Sequence, residues 1–264
     1  MDPLRDTARL AANCSMLFTD LPLLERPAAA RAAGFDAVEL WWPFPVAVPE
    51  DREVDALVAA VQDAGVRLVG LNLFAGDMPA GDRGVVSWPG REAELEDNLA
   101  VVAAIGDRLG CRAFNALYGN RLDGVRPEEQ DELAVRQLAA AARALAPIGG
   151  TVLLEPVSGA ERYPLRLARD VLAVLDRVEE ETGATNLALL ADLYHLSVNG
   201  DDVPAVIERH ADRIGHVQIA DAPGRHEPGT GRLPLRGWLE ALRARGYDGW
   251  VALEYRPTET GGTP

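Results

Sequence analysis

The sequence predicts a single-domain α/β protein with a (β/α)8 TIM barrel architecture, and three observations lead there. The chain has 264 residues, which fits one barrel of typical size with nothing left over. Short apolar runs alternate with longer stretches of helical spacing, the pattern of repeated βα units feeding a parallel sheet. Glycines fall where helices should stop, a few residues ahead of the next strand.

Eight apolar runs can be placed, at residues 10–16, 37–40, 68–73, 113–117, 151–154, 187–191, 216–219 and 250–253. They are apolar on both faces, which suits strands covered inside and out. Helical spacing fills the intervals, most clearly over 54–64, 92–109, 128–145 and 165–181. Gly34, Gly65, Gly110, Gly149 and Gly246 supply the left-handed turns that end such helices. The connection 74–90 is long and rich in glycine and proline; as it follows the third strand, it belongs on the C-terminal rim where barrels build sites and lids. Only ten residues follow Glu254, so the eighth outer helix is expected to be missing or vestigial.

Composition bounds the function. With 48% hydrophobic and 25% charged residues the chain has enough apolar material for a sizeable core and enough charge to stay soluble. A formal charge of −15 repels phosphate backbones, and with no basic patch in view a nucleic-acid partner is not expected. Cys14 and Cys111, without CxxC spacing, read as small buried apolar residues and not as a disulfide or zinc-thiolate pair. The first ten residues carry Asp2, Arg5, Asp6 and Arg9 in place of a basic start and an apolar run, and no stretch reaches membrane-spanning length. A cytoplasmic enzyme with no membrane partner is the expectation; homo-oligomer formation is left open.

Polar residues that end apolar strands carry the chemical signal, because the C-terminal rim is where a parallel barrel exposes functional side chains. They are Glu155 after Thr-Val-Leu-Leu, Asp192 after Leu-Ala-Leu-Leu-Ala, Gln218 inside His-Val-Gln-Ile, and Glu254 after Val-Ala-Leu. Three carboxylates close together repel one another and lose hydration, and a divalent cation resolves both costs. Carboxylate and amide oxygens are hard ligands, which favours Mg2+ or Mn2+ over zinc. Such a cation would stabilise the charge that develops when a proton leaves a carbon beside a carbonyl, with two glutamates serving as base and acid in turn.

Several runs are similar to the hydroxypyruvate isomerase family: Asn13-Cys-Ser-Met-Leu-Phe-Thr, Ala75-Gly-Asp, Gly81-Asp-Arg-Gly, Pro89-Gly-Arg-Glu, Leu154-Glu-Pro-Val, the long motif from Gly215 to Gly231, and Gly246-Tyr-Asp-Gly-Trp-Val-Ala-Leu-Glu-Tyr-Arg-Pro. The resemblance spans residues 12–257. It implies a xylose isomerase-like TIM barrel that interconverts hydroxypyruvate and tartronate semialdehyde, a small hydroxy-keto acid pair, through an enediol. It implies Glu155 and Glu254 as the proton donor and acceptor, and Glu155, Asp192, Gln218 and Glu254 as the metal set. His195 matches an Asp-x-x-His pattern in related ketose epimerases, where the histidine touches substrate, and Glu161 stands where those epimerases place a substrate-contacting acid. Departures from the family pattern are Ser158 in place of asparagine, the bulky pair Trp41 and Trp42, and the short tail.

Further candidates come from position. Arg225 and His226 lie in the glycine-rich loop after the seventh strand and can grip a carboxylate. Arg83 and Arg91 lie in or beside the third loop and can close over a substrate. His216 shares a strand face with Gln218 and reads equally as a core histidine or as a partner behind the ligands. Period-two alternation should send one ring of Trp41 and Trp42 to the barrel side and the other to the helix layer, with core packing the simpler role and water exclusion the sharper one. Competing functions are isomerisation or epimerisation of another short sugar acid such as a 2-oxo-tetronate, dehydration of a cyclic polyol, a non-catalytic binding barrel, and an abasic-site endonuclease. The last needs a histidine-rich zinc cluster, whereas four histidines are present in all.

Overall fold

Strands that are apolar on both faces need cover inside and out, and a closed sheet ringed by helices provides it. The computed structural model describes Leu4 and residues 6–258 of the chain. Its strands are β1 (Arg9–Asn13), β2 (Ala37–Leu40), β3 (Arg67–Asn72), β4 (Ala113–Asn115), β5 (Thr151–Leu154), β6 (Leu187–Asp192), β7 (Ile214–Ile219) and β8 (Trp250–Leu253). They form a closed parallel barrel in sequence order. Closure is made by β1 on β8, in register from Arg9 opposite Trp250 to Ala12 opposite Leu253.

The helices are α1 (Arg26–Ala32), α2 (Asp51–Ala64), α3 (Glu92–Leu109), α4 (Pro127–Leu145), α5 (Ala168–Thr182), α6 (Leu193–Val198), α7 (Val203–His210) and α8 (Leu235–Ala244). Each of the longer ones presents an apolar stripe to the sheet. In α2 it is Val54, Leu57, Val58 and Val61, and in α5 it is Val171, Leu172, Leu175 and Val178, both at helical spacing. The five glycines expected after helices all adopt positive φ, between 67° and 91°. The β6–β7 connection holds two helices, α6 and α7, whereas residues 255–258, after β8, are not helical; the rest of the tail lies outside the described residues.

Two strands stop more than a residue short of the sequence expectation, and β4 ends at Asn115 and not at residue 117. The first strand stops at Asn13 and does not run on to residue 16. The Asn13 side-chain oxygen accepts the Ser15 N–H at 2.9 Å, and its carbonyl accepts those of Met16 and Leu17, at 3.1 and 2.8 Å, so the chain turns there.

Alternation along the strands positions the site. Ala11, Ala37 and Ala252 pack together as a small apolar cluster. Two residues further along the same faces stand Asn13, Glu39 and Glu254, and the same step leads from His216 to Gln218 and from Leu190 to Asp192. On β1, β2 and β8 alanines therefore give way to buried polar residues toward the strand ends. Cys14 and Cys111 are fully buried free thiols, and burial pushes both up to about 12, so they remain protonated and inert. Among the described residues no helix is long and apolar enough to cross a membrane.

Candidate active site

A cavity of about 1310 Å3 opens at the strand ends. Glu155, Glu254, His195, Arg225, Arg83 and Arg91 all line it. Four of the expected residues are joined there with Asp192 into one chain of contacts. Glu155 Oε1 lies 3.7 Å from His195 Nε2, which lies 3.6 Å from Asp192 Oδ2. The same Asp192 oxygen is 3.2 Å from the Arg225 guanidinium, which reaches Glu254 Oε1 at 2.9 Å.

Local folding places each group. Asp192 ends β6 and caps α6, accepting the N–H groups of Tyr194 at 2.8 Å and His195 at 3.1 Å with Oδ1, which leaves Oδ2 free to face the cavity groups. His195 rides on the first turn of α6. The Ser158 N–H donates to His195 Nδ1 at 3.0 Å, so a neutral ring carries its proton on Nε2, the nitrogen turned to Glu155 and Asp192. Burial pushes His195 down to about 4; Asp192 opposes this, while Arg225 and Arg83 add to it. At neutral pH His195 is therefore an uncharged N–H donor.

The two glutamates are starved of donors. Glu155 accepts the Asn115 amide at 2.7 Å; burial and then Asp192 push its carboxyl up to about 8, against the pull of Arg225 and Asn115. Glu254 is raised well above the usual range by burial, against Arg225 and with help from Glu155 and Asp192. Its Oε1 accepts the Trp41 indole N–H at 3.0 Å, and its Oε2 has no partner although buried. Burial disfavours the Arg225 cation, but Glu254, Asp192 and Glu155 more than offset that, holding Arg225 charged.

The loop after β7 is held rigidly. Asp221 accepts the N–H groups of Ala222 (2.8 Å), Gly229 (2.9 Å) and Leu233 (3.0 Å). Burial works against this carboxylate, but the backbone donors of Leu233, Gly231, Gly229 and Ala222 prevail and hold it below the usual range. The tail after β8 fastens the same loop, since the Arg256 N–H donates to the Arg225 carbonyl at 2.8 Å and the His226 ring meets the Arg256 carbonyl at 2.9 Å. Arg225 itself has φ 58°, a left-handed backbone uncommon for a side-chain-bearing residue, which this bracing sustains.

Other expected residues are placed differently. Glu161 is exposed and does not line the cavity, because the turn that carries it faces solvent. His216 is 3% exposed and hydrogen-bonded to Glu39, inside the barrel and away from the cavity lining. His226 braces the loop and does not line the cavity. Arg83 lines it while donating to the carbonyls of Met78 (3.1 Å) and Asp82 (2.6 Å), and Arg91 pairs with Glu94 at the rim. Trp41 and Trp42 both line the cavity instead of parting between barrel and helix layer, since β2 stops at Leu40 and its alternation ends with it.

Sequence reasoning passed over Glu39, Asn72 and Asn115. All three are buried polar residues in or at the end of β2, β3 and β4. A glutamate interrupting the apolar run 37–40 was the available signal for the first.

The donor set fits a hard divalent cation. Glu155 and Asp192 converge, and two buried oxygens, Gln218 Oε1 and Glu254 Oε2, have no hydrogen-bond partner. Gln218 is paired in register with Asp192 on one side and with Ala252, two residues before Glu254, on the other. His195 stands within reach of Glu155 and Asp192, but its tautomer turns an N–H and not a lone pair toward them.

Residues 27–263 match the family model for the xylose isomerase-like TIM barrel. Across 94% of the chain and 91% of its own length, a protein of Streptomyces coelicolor named "Putative hydroxypyruvate isomerase" is 56% identical. The 2-oxo-tetronate isomerase of Cupriavidus necator is 35% identical over 94% of the chain and 93% of its own length. Among solved structures, one from Brucella melitensis described as an AP endonuclease, family 2, superposes with a TM-score of 0.87 at 33% identity, covering 97% of this chain and 96% of that one.

Proposed function

The chain belongs to the hydroxypyruvate isomerase family of xylose isomerase-like TIM barrels and is an isomerase; we propose that it interconverts hydroxypyruvate and tartronate semialdehyde, with Glu155 and Glu254 moving the proton. The observation that carries this reading is the pair of donor-poor, buried carboxyls at one cavity, both with raised pKa. Burial, with Asp192 beside both, favours the protonated form of each carboxyl, which suits one member to act as base and the other as acid. The base takes a proton from the hydroxymethyl carbon of hydroxypyruvate. The acid returns one to the neighbouring carbon, and the hydroxyl proton passes from the hydroxymethyl oxygen to the former ketone oxygen, so that the hydroxymethyl carbon becomes the aldehyde and the ketone carbon a secondary alcohol while the carboxylate is untouched.

The surrounding groups have work in this scheme. His195, neutral with its proton on Nε2, donates to a substrate oxygen on which the enediolate charge gathers. Arg225 offers the nearby positive charge, and Trp41 orients Glu254 while its ring closes one side of the cavity against water. A Mg2+ or Mn2+ held by Glu155, Asp192, Gln218 and Glu254 would polarise the carbonyl and steady the negative oxygens.

A second substrate has support. The relative named 2-oxo-tetronate isomerase is 35% identical, and a cavity of about 1310 Å3 leaves room for a four-carbon acid. Nuclease action on DNA is not favoured by this chain's chemistry, with four histidines in all and a formal charge of −15. A panel of hydroxypyruvate, tartronate semialdehyde and 2-oxo-tetronates, run with and without added Mn2+, tests the proposal. Turnover of hydroxypyruvate supports it, turnover of 2-oxo-tetronates alone moves it to the second substrate, and turnover of neither refutes it.

A further inference from the structure

Beneath the cavity lies a second acidic centre that the isomerase reaction does not use directly. Glu39, on β2, is 2% exposed and collects three side-chain donors from distant parts of the chain. Its Oε1 accepts the Asn13 amide at 2.6 Å and the Gln218 amide at 2.6 Å, and its Oε2 is bonded to His216 Nε2. Space for it is made on the next strand: Gly70 is its register partner, and a Cβ there would stand 2.7 Å from Glu39 Oε2.

The bond to Gln218 decides which way that amide points. If the amide were flipped, its oxygen would face Glu39 Oε1 at 2.6 Å, two acceptors in contact with no proton between them. Only the NH2 end can face Glu39. The amide oxygen is thereby turned away from the carboxylate, and it is the buried Gln218 Oε1 that has no protein partner. A neutral amide oxygen is a weak cation ligand unless its direction is fixed in advance, and a hydrogen bond on its far side fixes it.

We propose that Glu39 is the positioning residue for the cation site: held by Asn13 and His216 and accommodated by Gly70, it locks the Gln218 amide so that Oε1 is presented as a ligand. This rests on the divalent-cation reading of the site. Glu39 touches neither cation nor substrate and acts through Gln218.

Mn2+ binding to the metal-free protein, read from the free-ion EPR signal, tests it without reference to turnover. Glu39→Gln puts an NH2 among the donors and releases the amide; Mn2+ affinity should fall ~10–100-fold, as for the loss of other groups that orient metal ligands. Gln218→Leu should weaken binding at least as much, and the double variant Glu39→Gln/Gln218→Leu no further than Gln218→Leu alone, because one ligand is lost only once. Should Glu39→Gln not fold, Gly70→Ala crowds the same carboxylate and should weaken Mn2+ several-fold. Losses that add in the double variant, or affinity within twofold of wild type in Glu39→Gln or its Gly70→Ala substitute, overturn the positioning role while leaving the cation in place. A wild-type protein that binds no Mn2+ removes the cation and the inference with it.

Discussion

Two buried acidic centres share the barrel, and they are treated in opposite ways. Glu39 is surrounded by donors: Asn13, Gln218 and His216 all meet it, and neither of its oxygens lacks a partner. Glu155 and Glu254, at the strand ends, have too few. One Glu254 oxygen has no partner, and both carboxyls are raised. A carboxylate whose lone pairs are spent on the protein is a structural element; one left short of donors in a cavity can take or give a proton or bind a cation.

The contrast can be broken most sharply at the starved pair. Glu155→Gln and Glu254→Gln should each lower kcat by ~10²–10⁴-fold, the range of a lost general acid or base, with circular dichroism and Tm unchanged or improved. Turnover near wild type in both variants would place the chemistry elsewhere. Arg225→Met comes next. It strips the cation from Asp192 and Glu254, and removing one partner of a buried pair costs ~3–5 kcal/mol, less here because Arg225 keeps 14% of its side chain exposed. The metal-free variant should melt several degrees lower, and an unchanged Tm would mean that these ion pairs do not stabilise the fold.

The pH dependence of stability separates the groups by sign. Glu155 is raised from 4.5 to about 8, so the folded state favours its protonated form, and the metal-free protein should lose stability as pH rises through that window. His195 is lowered from 6.5 to about 4; its contribution is complete above 6.5 and is lost as pH falls toward 4. Denaturant midpoints across pH 4 to 9 should therefore show Glu155→Gln gaining on wild type on the alkaline side. A constant difference across that range would contradict the raised carboxyl. The smallest effect is expected at Glu161→Ala, an exposed position off the cavity, with kcat/KM and stability (within ~0.5 kcal/mol) like wild type.

The barrel was legible because its signals are local. Apolar runs, helical stripes and left-handed glycines each report their own element, and the strands most overrun were the fourth, which ends at Asn115, and the first, where the Asn13 side chain bends the chain by bonds that periodicity does not reveal. The rim acids were legible for the same reason, as carboxylates ending apolar strands. What escaped was pairing across the barrel. Glu39 and Gln218 are 179 positions apart and Trp41 and Glu254 are 213 apart, so neither partner's neighbourhood announces the other. His216 illustrates the limit: its face was readable from its step to Gln218, yet only the position of Glu39 makes it the partner of a buried carboxylate.

Hydrogen exchange at carbon tests the acid-base pair most directly. Hydroxypyruvate in D2O, followed by proton NMR with wild type, Glu155→Gln and Glu254→Gln, separates loss of the hydroxymethyl proton from delivery of one to the next carbon. The proposed pair predicts that neither variant forms product at an appreciable rate, while the variant that keeps the base still exchanges the hydroxymethyl hydrogens with solvent. Product formation and exchange at wild-type rates in both variants would contradict it.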